Sequence, residues 1–283
     1  MTKMVFFLFL ILILLILVAG LLLLRKSPKE PFGNSPSRVR NIVIYAYYEK
    51  NDEYKKNLEY FLQKGVFPDM HYLIVVNGKC TVSLPLLPNV RMVFRKNKGF
   101  DFGGFSHGLS LISPDHYDYF FFMNSSVRGP YLYPDEDVSS WSDKFIQLFQ
   151  GDVHLVGCTI NMYILPGTPA LHHVQSYFFV LDRPALDLLQ PTIFTTLTTS
   201  MKQTISEKEI GMSQRILKHG WNISCTATKY QGYDYRDVQH NFNLSSRFQG
   251  GDPCYPHAYF GGTLDAREVV FIKTNRNLPL PEE

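Results

Sequence analysis

The segment Asn97-Lys-Gly-Phe-Asp-Phe-Gly-Gly-Phe combines clustered glycines with one carboxylate. These residue types let backbone amides approach a diphosphate while Asp101 contacts a sugar or base hydroxyl. The same glycines suit a tight turn between a strand and a helix, so both readings stay open for this segment alone. Asn124-Ser-Ser-Val-Arg-Gly-Pro places an amide, two hydroxyls and the Arg128 guanidinium directly behind an apolar run. His172-His-Val-Gln-Ser-Tyr-Phe-Phe-Val carries two imidazoles. Either could meet an acceptor hydroxyl or a phosphate, or sit satisfied by backbone, and no second close acid or histidine in the sequence completes a metal set. Glu207 and Glu209 read as solvated acids in a helical first turn, favourable with the dipole. Tyr233, Tyr235, Tyr255 and Tyr259 suit either sugar stacking or ordinary packing, and Phe178 and Phe179 read as core.

Positioning these groups requires a sheet. Asn41-Ile-Val-Ile-Tyr-Ala-Tyr reads as a buried strand, followed by a helix capped at Asp52 with Leu58, Phe61 and Leu62 on one face. Strands follow at His71 to Val76, ended by Asn77-Gly78, and at Val90 to Phe94. A helix is expected from about Phe102 to Ile112, then a mostly apolar fourth strand from Tyr117 to Met123. Downstream come a strand from Val174 to Leu181, a short helix from Pro184 to Leu189, and a helix from Glu207 to His219 stopped by Gly220. This alternation is the start of an open α/β sheet, whose ligands bind beyond the carboxyl ends of the strands. The loops at those ends are Tyr47 to Asn51, Asn97 to Gly104 and Asn124 to Pro130.

In their order and spacing these segments, with the late Phe271-Ile-Lys-Thr-Asn-Arg, resemble the GT-A nucleotide-sugar glycosyltransferases, most closely the rhamnan synthesis F type, a polysaccharide-building family. That family has a loop of the form Asn-x-Gly-x-Asp-x-Gly, a fourth strand ending in Asn-Asp-Ser-x-x-Gly-Pro, and a His-x-Gln-Ser-Phe/Tyr strand. The resemblance covers roughly Asn41 to Arg276. It implies an α/β, GT-A-like (Rossmann-like), mostly parallel sheet flanked by helices, and transfer of a sugar from a nucleotide-sugar donor to a glycan acceptor with inversion. It places Asn97, Gly99 and Asp101 along the donor, with Asn124, Ser126 and Arg128 beside them, and His173 and Gln175 towards acceptor or phosphate. Glu209 aligns with the acid that takes the acceptor's proton, with Asp252 or Asp265 next in line. Many GT-A enzymes hold a divalent cation with Asp-x-Asp where this chain has Asn124-Ser-Ser. No metal ligand is assigned, and Mn²⁺ or Mg²⁺ stays open as a cofactor. Three readings follow: catalysis without metal, with Arg128, Lys98 or helix amides stabilising the diphosphate; metal held by other groups; or a degenerate, membrane-anchored protein that binds carbohydrate or nucleotide-sugar without turnover.

The chain of 283 residues is 45% hydrophobic, 19% charged and 14% aromatic, which excludes disorder for its bulk. A net charge of +3 is too weak for a nucleic-acid partner. Val5 to Leu24 is apolar throughout apart from Gly20, long enough at about 30 Å to span a bilayer core. A cleaved signal peptide, with Ala19-Gly20 as its weak site, is the alternative. The expected organisation is an anchor over 1–24, a stem over 25–40, one domain over 41–276 and a tail over 277–283. Arg25, Lys26 and Lys29 after the span favour a cytoplasmic domain, whereas the sequons at Asn124, Asn222 and Asn243 would be usable only in a lumen. The resemblance tips the expectation to a secretory-pathway or Golgi enzyme with a lumenal domain. There, Cys225 and Cys254 are the expected disulfide, with Cys80 and Cys158 unassigned.

Overall fold

The structure, a computed structural model, describes residues 40–281 apart from 84, 165, 166 and 168. The first half alternates β1 (Asn41–Tyr47), α1 (Asp52–Lys64), β2 (Met70–Asn77), β3 (Val90–Arg95), α2 (Phe100–Leu109), β4 (Tyr119–Asn124) and the short β5 (Val127–Arg128). The second half holds β6 (Val153–Gly157), β7 (Ile160–Asn161), β8 (His173–Val174), β9 (Phe178–Asp182) and α3 (Arg183–Ile193). A helical stretch follows from Met201, π-helical over Thr204–Ile210 and ending as α4 (Gly211–Lys218). After it come β10 (Asn222–Cys225) and β11 (Ile272–Lys273).

Seven strands form one sheet in the order β10-β6-β9-β4-β1-β2-β3. β4, β1, β2 and β3 run parallel, β9 runs antiparallel to both β4 and β6, and β10 is parallel to β6. All eight residues of β2 are buried, as expected of a strand covered on both faces. The two faces of β4 carry separate aromatic layers. Phe122 stacks on Phe179 (ring centroids 4.7 Å) and Phe194 (5.3 Å), whereas Phe121 meets Trp141 edge-on (5.4 Å). Phe178 and Phe179 are fully buried on opposite faces of that core.

Helix α2 lies unusually close to the sheet because it is built on glycine. A Cβ on Gly104 would come 2.8 Å from Ala46 Cβ, one on Gly108 2.6 Å from Ile44 Cγ2, and one on Gly103 2.0 Å from the Lys98 carbonyl oxygen. Packing of the helix on the sheet therefore requires these glycines. At Gly99 the chain takes φ +74° and a Cβ would press on Leu197, 2.8 Å away.

Several expectations change in detail. Asn51, not Asp52, caps α1, its side chain accepting from the Tyr54 amide at 3.0 Å. The strand expected over Val174 to Leu181 is broken: β8 pairs with β7, residues 175–177 leave the ladder, and β9 resumes the main sheet. Leu278, in the expected tail, is buried in the core. Tyr235 and Tyr259 are buried, so packing accounts for both.

All four cysteines are free thiols. Cys225 Sγ donates to Ala227 O (3.7 Å) and Cys254 Sγ to Gln175 Oε1 (3.3 Å), so the expected disulfide between them is not formed. The sequon asparagines are structural as well. Asn222 Nδ2 donates to Tyr233 O, Asn243 Nδ2 to Tyr230 Oη and Ala258 O, and Asn124 Nδ2 to Asp101. A glycan on Asn243, whose two amide hydrogens are both engaged, would displace an internal hydrogen bond. Among the described residues no helix is long and apolar enough to cross a membrane, and Val5 to Leu24 lies outside them.

Gly108→Ala tests the close approach of α2. Alanine normally gains about 1 kcal/mol over glycine inside a helix. Here overpacking against the branched Ile44 should make the variant less stable by about 1–3 kcal/mol in urea unfolding; equal or higher stability would refute the packing argument.

Candidate active site

The carboxyl ends of β1 and β4 meet in a hydrogen-bonded loop. Ser125 Oγ accepts from the Tyr48 amide (2.6 Å), and the Ser125 carbonyl accepts from Asn57 Nδ2 (2.9 Å). Asn124 Oδ1 accepts from both the amide (3.0 Å) and hydroxyl (2.6 Å) of Ser126. Two donors on one side of the amide fix its orientation, so Nδ2 faces outward and donates to Asp101 Oδ2 at 3.0 Å. Asp101 is delivered by the left-handed turn before α2, where Gly99 is followed by Phe100 at φ 55°. A bulky residue there costs on the order of 1–3 kcal/mol. Burial pushes the Asp101 carboxyl above its ordinary value, the Asn124 bond offsets part of that, and the negative charge of Glu209 adds to it.

Glu209 arrives from the π-helical stretch, a rare register that is frequent at functional sites. Its Oε2 accepts from the Ser176 amide at 2.9 Å and from the Ser176 hydroxyl, while Oε1 lies 3.6 Å from His173 Nε2. His173 is oriented by its other nitrogen, 2.7 Å from the Leu171 carbonyl. Burial alone would push the Glu209 carboxyl up; His173, Lys273 and Ser176 outweigh it and bring it from 4.5 down to about 2. Its neighbour Lys208 is buried and points elsewhere, donating to Thr192 O (3.0 Å) and Thr196 Oγ1 (2.6 Å). That contact ties the stretch to the end of α3. Glu209 is thus a pinned carboxylate well inside the helical stretch, which replaces the solvated first-turn reading; Glu207 is the exposed one.

The family described as rhamnan synthesis protein F matches residues 85–246, more than half of the chain. The chain belongs to this family. No curated protein matches it in sequence. Solved structures similar to it include glycosyltransferases. One is the mannosyltransferase PcManGT of Pyrobaculum calidifontis in complex with GDP-Man and Mn²⁺, at 9% identity and TM-score 0.45 over 71% of this chain. The chain spans 57% of that protein. Another is a Drosophila β1,4-galactosyltransferase 7 mutant with manganese, UDP-Gal and xylobiose, at 9% identity and TM-score 0.35 over 75% of each chain. The catalytic domain of the Drosophila enzyme with xylobiose also scores 0.35 at 9% identity, over 76% of this chain and 81% of its own.

In this member of the rhamnan synthesis protein F family, the groups gathered at the strand ends are Asp101, Asn124, Ser126, His173 and Glu209. Other expected residues are engaged elsewhere. The Arg128 guanidinium bonds Glu53 (2.7 Å) through Nη2 and Asn57 Oδ1 (3.0 Å) through Nε, both on α1. Gln175 is buried with its carbonyl accepting from Thr159 Oγ1 (2.7 Å) and Cys254, a packing role. Asn97 is exposed ahead of the Gly99 turn. Ser176, Lys273 and Arg276 were legible as parts of motifs, yet no local signal singled them out. A metal seat does not fit the donor set: Asn124 Oδ1 already accepts two hydrogen bonds, Ser125 Oγ accepts one, and Asp101 shares Oδ2 with Asn124. Among the described residues no three His, Cys, Asp or Glu side chains converge.

The depressed Glu209 has a measurable consequence. Because its folded-state value, about 2, lies below the ordinary 4.5, ionised Glu209 contributes stability on the order of 3 kcal/mol that is present above the ordinary value and lost as pH falls towards the folded one. Urea unfolding should show Glu209→Gln less stable than wild type at neutral pH, with the gap narrowing as pH falls through that window. A gap independent of pH would show that the carboxylate is not held down by its neighbours.

Proposed function

We propose that this protein is a glycosyltransferase moving a sugar from a nucleotide-sugar donor to a glycan acceptor with inversion, tethered to a membrane by Val5 to Leu24. One observation carries the reading: a carboxylate, Glu209, is held by Ser176 and His173 and is electrostatically coupled to Asp101 at the carboxyl ends of a largely parallel sheet, where open α/β folds bind their ligands. Membership of a polysaccharide-building family supports the substrate class.

The chemistry assigned to the site is a single displacement. The acceptor hydroxyl oxygen bonds to the anomeric carbon, its proton passes to the Glu209 carboxylate, and the bond from carbon to the diphosphate oxygen breaks with its electron pair staying on the diphosphate. A sugar hydroxyl is a poor nucleophile until its proton has an acceptor. Ser176 and His173 fix the carboxylate in place, while Asp101, steered by Asn124, faces the donor's hydroxyls. No step is assigned to a metal.

The full chain in detergent, assayed against UDP-, GDP- and dTDP-sugars, tests this reading. Glu209→Gln should lower turnover by about 100-fold or more and leave donor affinity nearly unchanged, because a general base acts in the transition state and not in ground-state binding. Near-normal turnover in that variant would remove Glu209 from the mechanism. Nucleotide-sugar binding without turnover by the wild type would identify a binding protein instead. Activity should also survive EDTA; loss in EDTA with recovery on adding Mn²⁺ would show that a metal site forms.

A further inference from the structure

Two cations of the Phe271-Ile-Lys-Thr-Asn-Arg segment have no role in the scheme above. β11 pairs antiparallel with β5, setting Lys273 opposite Val127. Thr274 donates to the Ser126 carbonyl through its amide (2.9 Å) and its hydroxyl (3.2 Å). The segment is thereby laced to the very loop that carries the metal-binding acids in Asp-x-Asp enzymes.

Lys273 and Arg276 share one carboxylate. Asp252 Oδ2 lies 3.9 Å from Lys273 Nζ and 3.7 Å from Arg276 Nε, both too far for a hydrogen bond. Arg276 Nε is buried with no hydrogen-bond partner among the described residues. Asp252 Oδ1 meanwhile accepts from the Cys254 amide at 2.8 Å. Both cations meet Asp252 only through long contacts, and Lys273 also acts on the Glu209 carboxylate, while the two side chains are only 13% and 28% exposed. Aromatic faces fix both: Lys273 Nζ stands 5.0 Å from the Tyr177 ring centre and the Arg276 guanidinium 4.9 Å from that of Tyr255. Tyr177 directly follows Ser176, the partner of Glu209, and its carbonyl accepts from the Asn124 amide at 3.1 Å. Lys273 therefore belongs to the same cleft.

We propose that Lys273 and Arg276 form the seat of the donor's diphosphate, in the role that a carboxylate-held cation plays in metal-dependent enzymes; this rests on the transferase reading above. An incoming diphosphate exchanges two long contacts with Asp252 for charge-assisted hydrogen bonds. When the bond from the anomeric carbon to the diphosphate oxygen breaks and its electron pair remains on that oxygen, the two cations offset the added negative charge. The bound anion also offsets the pull of Lys273 on Glu209, so the carboxylate is a stronger base once the donor is seated.

Calorimetric titration of the full-length protein in detergent and EDTA, with UDP, GDP, CDP and dTDP and their nucleosides, tests the seat. Wild type should bind one diphosphate at least about 10-fold more tightly than its nucleoside; Lys273→Met with Arg276→Gln should abolish that preference while nucleoside affinity stays within about twofold. Lys273→Arg should retain most of it. Asp252→Asn separates a seat from a structural ion pair: freeing both cations should hold or raise diphosphate affinity, whereas a purely structural pair would make it fall as in the double variant. If the folded double variant binds diphosphate as wild type does, or if wild type binds only with Mn²⁺ added, the seat is overturned and the transferase reading stands. If wild type binds no diphosphate under either condition, both fall together.

Discussion

Strand β9 runs antiparallel between β4 and β6, and its direction is the constraint on which the site depends. In a sheet whose other neighbours are parallel, a reversed strand brings its beginning, not its end, to the edge where the parallel strands finish. The His173 to Tyr177 segment is therefore delivered beside Asn124, whose amide donates to the Tyr177 carbonyl at 3.1 Å. Ser176 and His173 then capture Glu209 from the π-helical stretch. A parallel β9 would leave those two residues at the opposite edge. The stacked rings of Phe122, Phe179 and Phe194 on one face, and of Phe178 and Phe271 on the other, lock β9 into this place.

Charge in the cleft is balanced across several segments. Asp101 and Glu209 repel each other, one shifted up and the other down, because only Glu209 has His173 and Lys273 nearby. Low solvent access makes each of these interactions stronger than it would be at the surface. Lys208, adjacent in sequence to Glu209, is held by Thr192 O and Thr196 Oγ1. A carbonyl near a helix C-terminus is a favourable partner for an ammonium group, so the buried lysine anchors the stretch that aims Glu209.

Arg128 and the glycines each make close structural contacts. Arg128 sits on the two-residue strand β5, and its guanidinium turns onto α1, where Glu53 and Asn57 engage it. Gly103, Gly104 and Gly108 bring α2 against Lys98, Ala46 and Ile44. The cations of the proposed seat lie on and just after β11, roughly a hundred and fifty residues downstream in the chain, and β11 is joined to β5 through a ladder of two residue pairs. Nothing local to Lys273 could reveal that placement, since the contact exists only once the sheet has closed.

The hydrophobic runs by themselves determined β1, β2, β4 and the open α/β architecture, because a strand buried on both faces must be apolar nearly throughout. They also placed Asp101 and Asn124 at strand ends, which local order along the chain suffices to do. Tertiary structure decided the rest. The break between β8 and β9 falls on Gln175-Ser176-Tyr177, whose polar side chains are buried by distant partners such as Thr159 and Glu209, so their departure from the ladder is decided by contacts that local pattern does not record. Whether Asn222 and Asn243 are glycan acceptors or buried donors, and whether Cys225 and Cys254 pair, depends on partners far away in sequence. The strength of Glu209 as an acid was settled in the same way, by His173, Ser176 and Lys273, since electrostatic coupling acts through space and a sequence records only order along the chain.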